Sequence, residues 1–272
     1  MVKLIDIDSL FDKYIEDFVY SNIGKVKPEE IENKIPELYV KFGDEKLKEL
    51  DGKTPNTYYT EFSGEDLIAC LKRHLSEDVA VSDFLCEAIT GNKKNQTSLV
   101  AALLEDNDEE FTVYIMNMLY DGGFEIPTAR YLEFVTLDYS ETVRELATEQ
   151  LALNAEKVKE EVLALFKDAE QSVKANLTEI LSNCKNDDRV FDILVAEFAK
   201  NQNNIPLYAG YLAKYGDERA LPFLNVAIEK EKISYADFEE LRFAIEALGG
   251  EYNKVRDFSN DKSFKKIKSS GK

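Results

Sequence analysis

Residues 205–229 read IPLYAGYLAKYGDERALPFLNVAIE, and this stretch decides the architecture. Ile205, Ala209, Leu212, Ala213 and Gly216 fall on one face at the i, i+3/i+4, i+7/i+8 spacing of an amphipathic helix. The pair Gly216-Asp217 then breaks the pattern. Glycine suits the left-handed residue that ends a helix, and an aspartate there accepts hydrogen bonds from the first amides of the next one. Leu221, Leu224 and Ile228 resume the stripe, and Pro222 is tolerated because it lies in a first turn, where its missing N–H has no partner to lose. The pattern predicts a helical hairpin. Neither helix can bury its apolar face alone, so the hairpin requires neighbours.

Working outward, the neighbours appear at a fixed step. Val143, Ala147 and Leu151 make one stripe; thirty residues on come Val173, Leu177 and Leu181, and thirty-two further Ile205, Ala209 and Ala213. The partner helices keep the step through Val158, Val190 and Ala220, with breaks at Asn154-Ala155, Asn186-Asp187 and Gly216-Asp217. A further half-hairpin spans 235–248 and ends in Gly249-Gly250. A helical repeat of this period predicts an all-α chain built as a right-handed α-α superhelix, a solenoid of antiparallel hairpins in which each touches only its neighbours. Before Asp138 the spacing persists without the motif. Helices are expected over about 63–75, 81–90, 96–105, 109–120 and 127–137, joined by short connections that make consecutive helices antiparallel. The first sixty residues do not share the step; helices over 5–20 and from Pro28 towards Phe42, with an interruption at Pro36, read as an irregular cap. The expected organisation is therefore a cap at 1–62, repeats over 63–258 and a basic tail at 259–272. Lys262, Lys265, Lys266, Lys268 and Lys272 either leave that tail flexible in solvent or hold it against an acidic body, with Phe264 and Ile267 covering the last hairpin.

The segment YGDERALPFL, with its Gly-Asp-x-Arg-Ala-x-Pro, resembles the second-helix motif of HEAT repeats, in particular the short bacterial type also found in phycobilin lyases. The match covers about residues 139–248, and only the copy at 205–229 carries the full motif. More weakly, LDGKTPNTYYTEFSGEDLIACL is similar to a segment that precedes such repeats in bacterial proteins. The resemblance implies an ARM-like solenoid that commonly binds other macromolecules. It gives Asp187, Arg189, Gly216, Asp217 and Arg219 a structural role, the aspartates and arginines linking adjacent repeats.

Composition narrows the function classes. The 272 residues carry 34 Lys and Arg against 53 Asp and Glu, a net charge of −19, with 44% hydrophobic residues. That is the make-up of a helix-rich soluble chain, and its field opposes nucleic-acid phosphates. Asp6 and Asp8 interrupt the first apolar run, unlike a secretory signal, and no stretch has the roughly 18 apolar residues of a membrane span. Cys70, Cys86 and Cys184 are odd in number and far apart, which fits buried thiols in a reducing cytoplasm. No cofactor is expected.

Catalytic groups are sparse. The one histidine, His74, lies near a helix end beside Lys72 and Arg73, where a cation completes the helix dipole; the alternative is a catalytic role. There is no HExxH, zinc-finger spacing, GxGxxG, P-loop or GxSxG. The acidic run at 105–110 invites a calcium loop but lacks its central glycine, and acids at a helix N-terminus account for it. Tyr208, Tyr211 and Tyr215 form either a strip for a peptide partner or a packing surface with hydroxyls in water.

Glu156, Asp188 and Glu218 occupy equivalent positions in three second helices, with Glu160 and Asp192 one turn later. Together they read as a carboxylate column facing a partner with a basic surface, or as acids that complement helix dipoles, with Lys157, Arg189 and Arg219 flanking them. The expected function is a non-enzymatic protein- or peptide-binding scaffold. The alternative is an enzyme subunit with a site between hairpins, as in HEAT-like glycosylases or phycobilin lyases.

Overall fold

In a computed structural model, residues 2–22, 31–105 and 108–270 are described, and among them the chain forms sixteen α-helices and no strand. The chain is all-α, and its helices pack on sequence neighbours as in a helical solenoid. It divides into two compact units, Met1–Pro127 and Thr128–Lys272.

The first unit contains α1 (Ile7–Ser21), α2 (Ile35–Gly43), α3 (Pro55–Tyr58), α4 (Gly64–Ser76), α5 (Asp83–Thr90), α6 (Gln96–Glu105) and α7 (Glu109–Asp121). Three of the starts have a side-chain cap. Asp6, Ser63 and Asp108 place side-chain oxygens 2.9, 3.2 and 2.9 Å from the amides of Ser9, Asp66 and Phe111, which would otherwise lack partners. The expected start at Pro28 lies outside the described residues. Pro36 does not interrupt α2 but occupies its first turn, the break falling at residues 33–34. A core of Ile7, Phe42, Leu71, Leu85, Ile89, Leu99 and Ile115 is almost wholly shielded from water.

The second unit runs through α8 (Thr128–Thr136), α9 (Glu141–Ala152), α10 (Ala155–Phe166), α11 (Gln171–Leu181), α12 (Asp188–Lys200), α13 (Ile205–Tyr215), α14 (Leu221–Ile228), α15 (Tyr235–Ala247) and α16 (Lys262–Ser270). Helix α9 packs on α8 and α11, α12 on α11 and α13, and both α13 and α14 on α15. The repeating stripes supply this core: Val143, Ala147, Leu151, Leu177, Leu181, Ala209 and Leu212 are buried from the first helices, Val158, Val190, Ala220 and Leu224 from the second. Gly216 ends α13 with φ +81°, and a Cβ there would meet only Lys185 Nζ at 3.7 Å. Backbone conformation, not space, is what asks for glycine at this position. A 3-10 turn, Glu218–Ala220, then leads into α14, whose first turn holds Pro222.

After α15 no second helix follows directly. Residues 250–261 cross the end of the unit as a strap. Arg256 fastens it by donating to the Ile228 carbonyl at 2.8 Å, and Phe258 sets its ring 5.0 Å from Phe238. The basic terminus forms α16, with the Phe264 ring 4.9 Å from Tyr235 in an edge contact.

Candidate functional site

The loops entering the second helices carry the densest polar network. Asp187 caps α12, its Oδ1 accepting from the Arg189 amide at 3.0 Å. The same carboxylate takes the Arg189 guanidinium at 3.0 and 2.6 Å, and Lys159 of α10 lies 3.5 Å away. Arg189 also reaches back one repeat to grip both oxygens of Glu160, at 2.9 and 2.6 Å. One repeat on, the pattern recurs. Asp217 accepts from the Arg219 amide at 2.9 Å and holds its guanidinium at 2.6 Å, while Arg219 reaches back to Asp188 at 2.9 Å. The Arg219 guanidinium also covers the Phe191 ring, 4.3 Å from its centre. Each arginine thus ties its own helix start to the helix start one repeat earlier.

These contacts set the electrostatics. Hydrogen bonds from Arg189 hold the Asp187 carboxyl far below the usual carboxylate range, and Arg219 lowers Asp217 in the same way. Glu160 is lowered by Arg189. Glu156 is lowered by Lys159 and by the Lys185 amide, which donates to it at 2.6 Å.

The five acids of the second-helix column therefore divide. Glu156, Glu160 and Asp188 are engaged within the chain, whereas Asp192 and Glu218 are exposed and form no ion pair among the described residues. The structure brings the column to one edge but spends most of its charge on joints between repeats. Sequence reasoning did not identify Lys185 or Tyr215 as parts of these joints. Lys185 Nζ donates to the carbonyls of Lys214 and Tyr215 at 2.6 and 2.8 Å, capping α13. The Tyr215 hydroxyl accepts from the Asp187 amide and donates to its carbonyl, both at 2.9 Å. All three tyrosines of α13 are buried, and the hydroxyls of Tyr211 and Tyr215 find protein partners instead of water.

The opposite helices leave a surface of another kind. The outward stripes of α9, α11 and α13 enclose an open cleft of about 600 Å³. Its lining includes Glu145, Glu149, Ala175, Glu179, Leu207 and Tyr211. The same thirty- and thirty-two-residue steps relate Glu149 to Glu179 and Tyr211, and relate Glu145 to Ala175 and Leu207. Two rows one helical turn apart thus cross the three helices. The Tyr211 hydroxyl donates to Glu179 at 3.2 Å, and Glu145 and Glu149 are exposed without ion pairs among the described residues. Leu153 at the rim is 62% exposed and Leu207 39%.

Elsewhere, groups with catalytic potential are enclosed. His74 is fully buried; its Nδ1 donates to the Ala80 carbonyl at 2.7 Å and ties the end of α4 to the following turn. Burial pushes the thiols of Cys70, Cys86 and Cys184 up to about 11, which disfavours a thiolate at neutral pH. Asp108 serves as the cap of α7, and residues 106–107 of the calcium-like run lie outside the described residues. Among the described residues no helix is long and apolar enough to cross a membrane. No protein-family model, characterised protein or solved structure matches the chain.

Proposed function

We propose that the chain is a HEAT-like repeat protein that works as a non-enzymatic scaffold, binding a protein or peptide on its repeat surface. The observation that carries this reading is the division of labour within the second unit. One edge locks repeat to repeat through Arg189 and Arg219, while the outward rows of α9, α11 and α13 are left facing an open cleft that nothing in the described chain fills. A locked array holds its surface side chains in a fixed geometry, so a partner loses less free energy in ordering them.

The test is affinity capture by the intact chain from its native cell extract. Hydrogen exchange is then measured on the chain with and without each retained protein in purified form. Slowed exchange in the helices that bear the two rows is the expected result. Partner-free behaviour throughout, or turnover of a small molecule by the isolated chain, would overturn the proposal.

A further inference from the structure

Taking the scaffold reading as its basis, we infer that the occupant of the α9–α11–α13 cleft is an extended protein segment bearing two Lys or Arg side chains and a neighbouring aliphatic one. Glu149 and Glu179 stand at equivalent points of adjacent repeats, which places them about 8–10 Å apart across the helices. Two cations two residues apart on an extended chain share one side about 6.6 Å apart, an interval that long, flexible Lys or Arg side chains widen to match, with the residue between them on the other side. One turn away lies a row that is apolar on two helices, Ala175 and Leu207, with exposed Leu153 at the rim. A segment running between the rows turns its charges to one side and its aliphatic group to the other.

The polarity of the site is fixed by what the chain does not neutralise. Three of the five second-helix acids, Glu156, Glu160 and Asp188, already have lysine or arginine partners, whereas Glu145 and Glu149 have no ion pair among the described residues. Among the described residues the Glu179 carboxylate accepts only from the neutral Tyr211 hydroxyl, which orients it without cancelling its charge. Lys214 is the sole cation in the lining, so three carboxylates face one ammonium there. With the whole chain at −19, a cationic segment is drawn in from a distance, and the aliphatic contact selects among such segments at close range.

The probe is a fluorescein-labelled octapeptide of alternating arginine and leucine, titrated with the full chain and read by anisotropy. An alternating glutamate–leucine peptide should not bind. An arginine–glycine peptide should bind more weakly, because it lacks the apolar contact. Two double variants carry the same change of charge: E149K/E179K in the cleft, and D192K/E218K among the acids left unpaired on the second-helix edge. At 0.15 M salt the cleft variant should lose at least about 30-fold in affinity and the edge variant no more than about threefold, since exposed charges beyond a Debye length are screened. Should charge reversal disturb folding, E149Q/E179Q keeps an acceptor for Tyr211 and should still lose about tenfold, as two charge pairs are removed without a new repulsion.

Equal losses in both variants would reduce the effect to the field of the whole chain and overturn the assignment. A larger loss in D192K/E218K would move the site to the second-helix edge, leaving the scaffold reading intact but this cleft without a role. Concentration-dependent self-association in sedimentation that E149K/E179K abolishes would make the occupant a second copy of this chain, which also overturns it. The capture experiment judges the scaffold reading separately, because it requires no particular charge on the partner.

Discussion

Replacing Asp187 tests whether the joints between repeats carry stability or only decorate the surface. Its carboxylate performs two tasks: it caps α12 through the Arg189 amide, and it holds the Arg189 guanidinium. The side chain is 11% exposed, so water replaces the lost cap poorly. Loss of an N-cap costs about 0.5–2 kcal/mol, and the shielding of this one places Asp187→Ala in the upper half, at about 1–2 kcal/mol. Solvent screens the exposed guanidinium, so the pair itself adds little. Asp187→Asn keeps an oxygen acceptor and should cost less than about 1 kcal/mol, because asparagine caps about as well as aspartate. The assay is urea denaturation followed by far-ultraviolet circular dichroism and tyrosine emission, which no tryptophan obscures. Exchange mass spectrometry of residues 171–215 assigns the loss to the second unit.

Acid should act on the same joint. The folded-state pKa of Asp187 lies below its unfolded value of about 3.9. Its contribution is thus fully present above that value and is lost as pH falls through the folded pKa. Asp217, Glu156 and Glu160 are shifted in the same direction, so the second unit should weaken progressively below about pH 4, and Asp187→Asn should flatten that limb. If Asp187→Ala lies within about 0.3 kcal/mol of the parent, the resolution of such comparisons, the joint does not stabilise the array. Equal costs for the alanine and asparagine variants would show that charge, not capping, is what matters.

Two further outcomes are expected. Leu224, wholly buried where α14 meets α15, should cost about 2–5 kcal/mol when cut to alanine, measured in the same denaturation assay. Phe264→Ala removes a half-buried ring from Tyr235 and should cost about 1–2 kcal/mol; an unchanged melting temperature at every ionic strength would mean that α16 adds nothing to the second unit.

The features legible in the sequence are those that local chemistry determines. Gly216 announces a left-handed helix end whatever surrounds it, and Ser63 and Asp108 announce helix starts because the amides they satisfy are three residues away. The apolar stripe at 143, 147 and 151 recurs on α11 and α13 because each hairpin faces the same burial problem. Pro36 misled for the same reason. Proline reads as a breaker until the helix start is known, and here the start lies just before it. His74 beside Lys72 and Arg73 reads as a group completing the helix dipole, but its full enclosure is not legible there, because enclosure depends on where the 78–82 turn folds back.

Contacts between repeats belong to a different scale. Arg189 can reach Glu160 only after the hairpins have stacked with a particular offset, and spacing alone does not say whether the five acids face a partner or an arginine. Yet the repeat step contained a usable signal. Carried along the second helices it aligns Glu156, Asp188 and Glu218, each next to a basic residue in sequence, Lys157, Arg189 or Arg219. Carried along the first helices it aligns Glu149, Glu179 and Tyr211, whose sequence neighbours Thr148, Gln150, Thr178, Ile180, Gly210 and Leu212 offer no cation, and Glu145, Ala175 and Leu207, which Arg144 and Lys174 adjoin. In a repeat protein, the charges free for a partner are those that remain after neighbouring repeats have been joined. The row to examine is thus the one without a basic residue at the matching step, and here it is the Glu149–Glu179–Tyr211 row that lines the cleft.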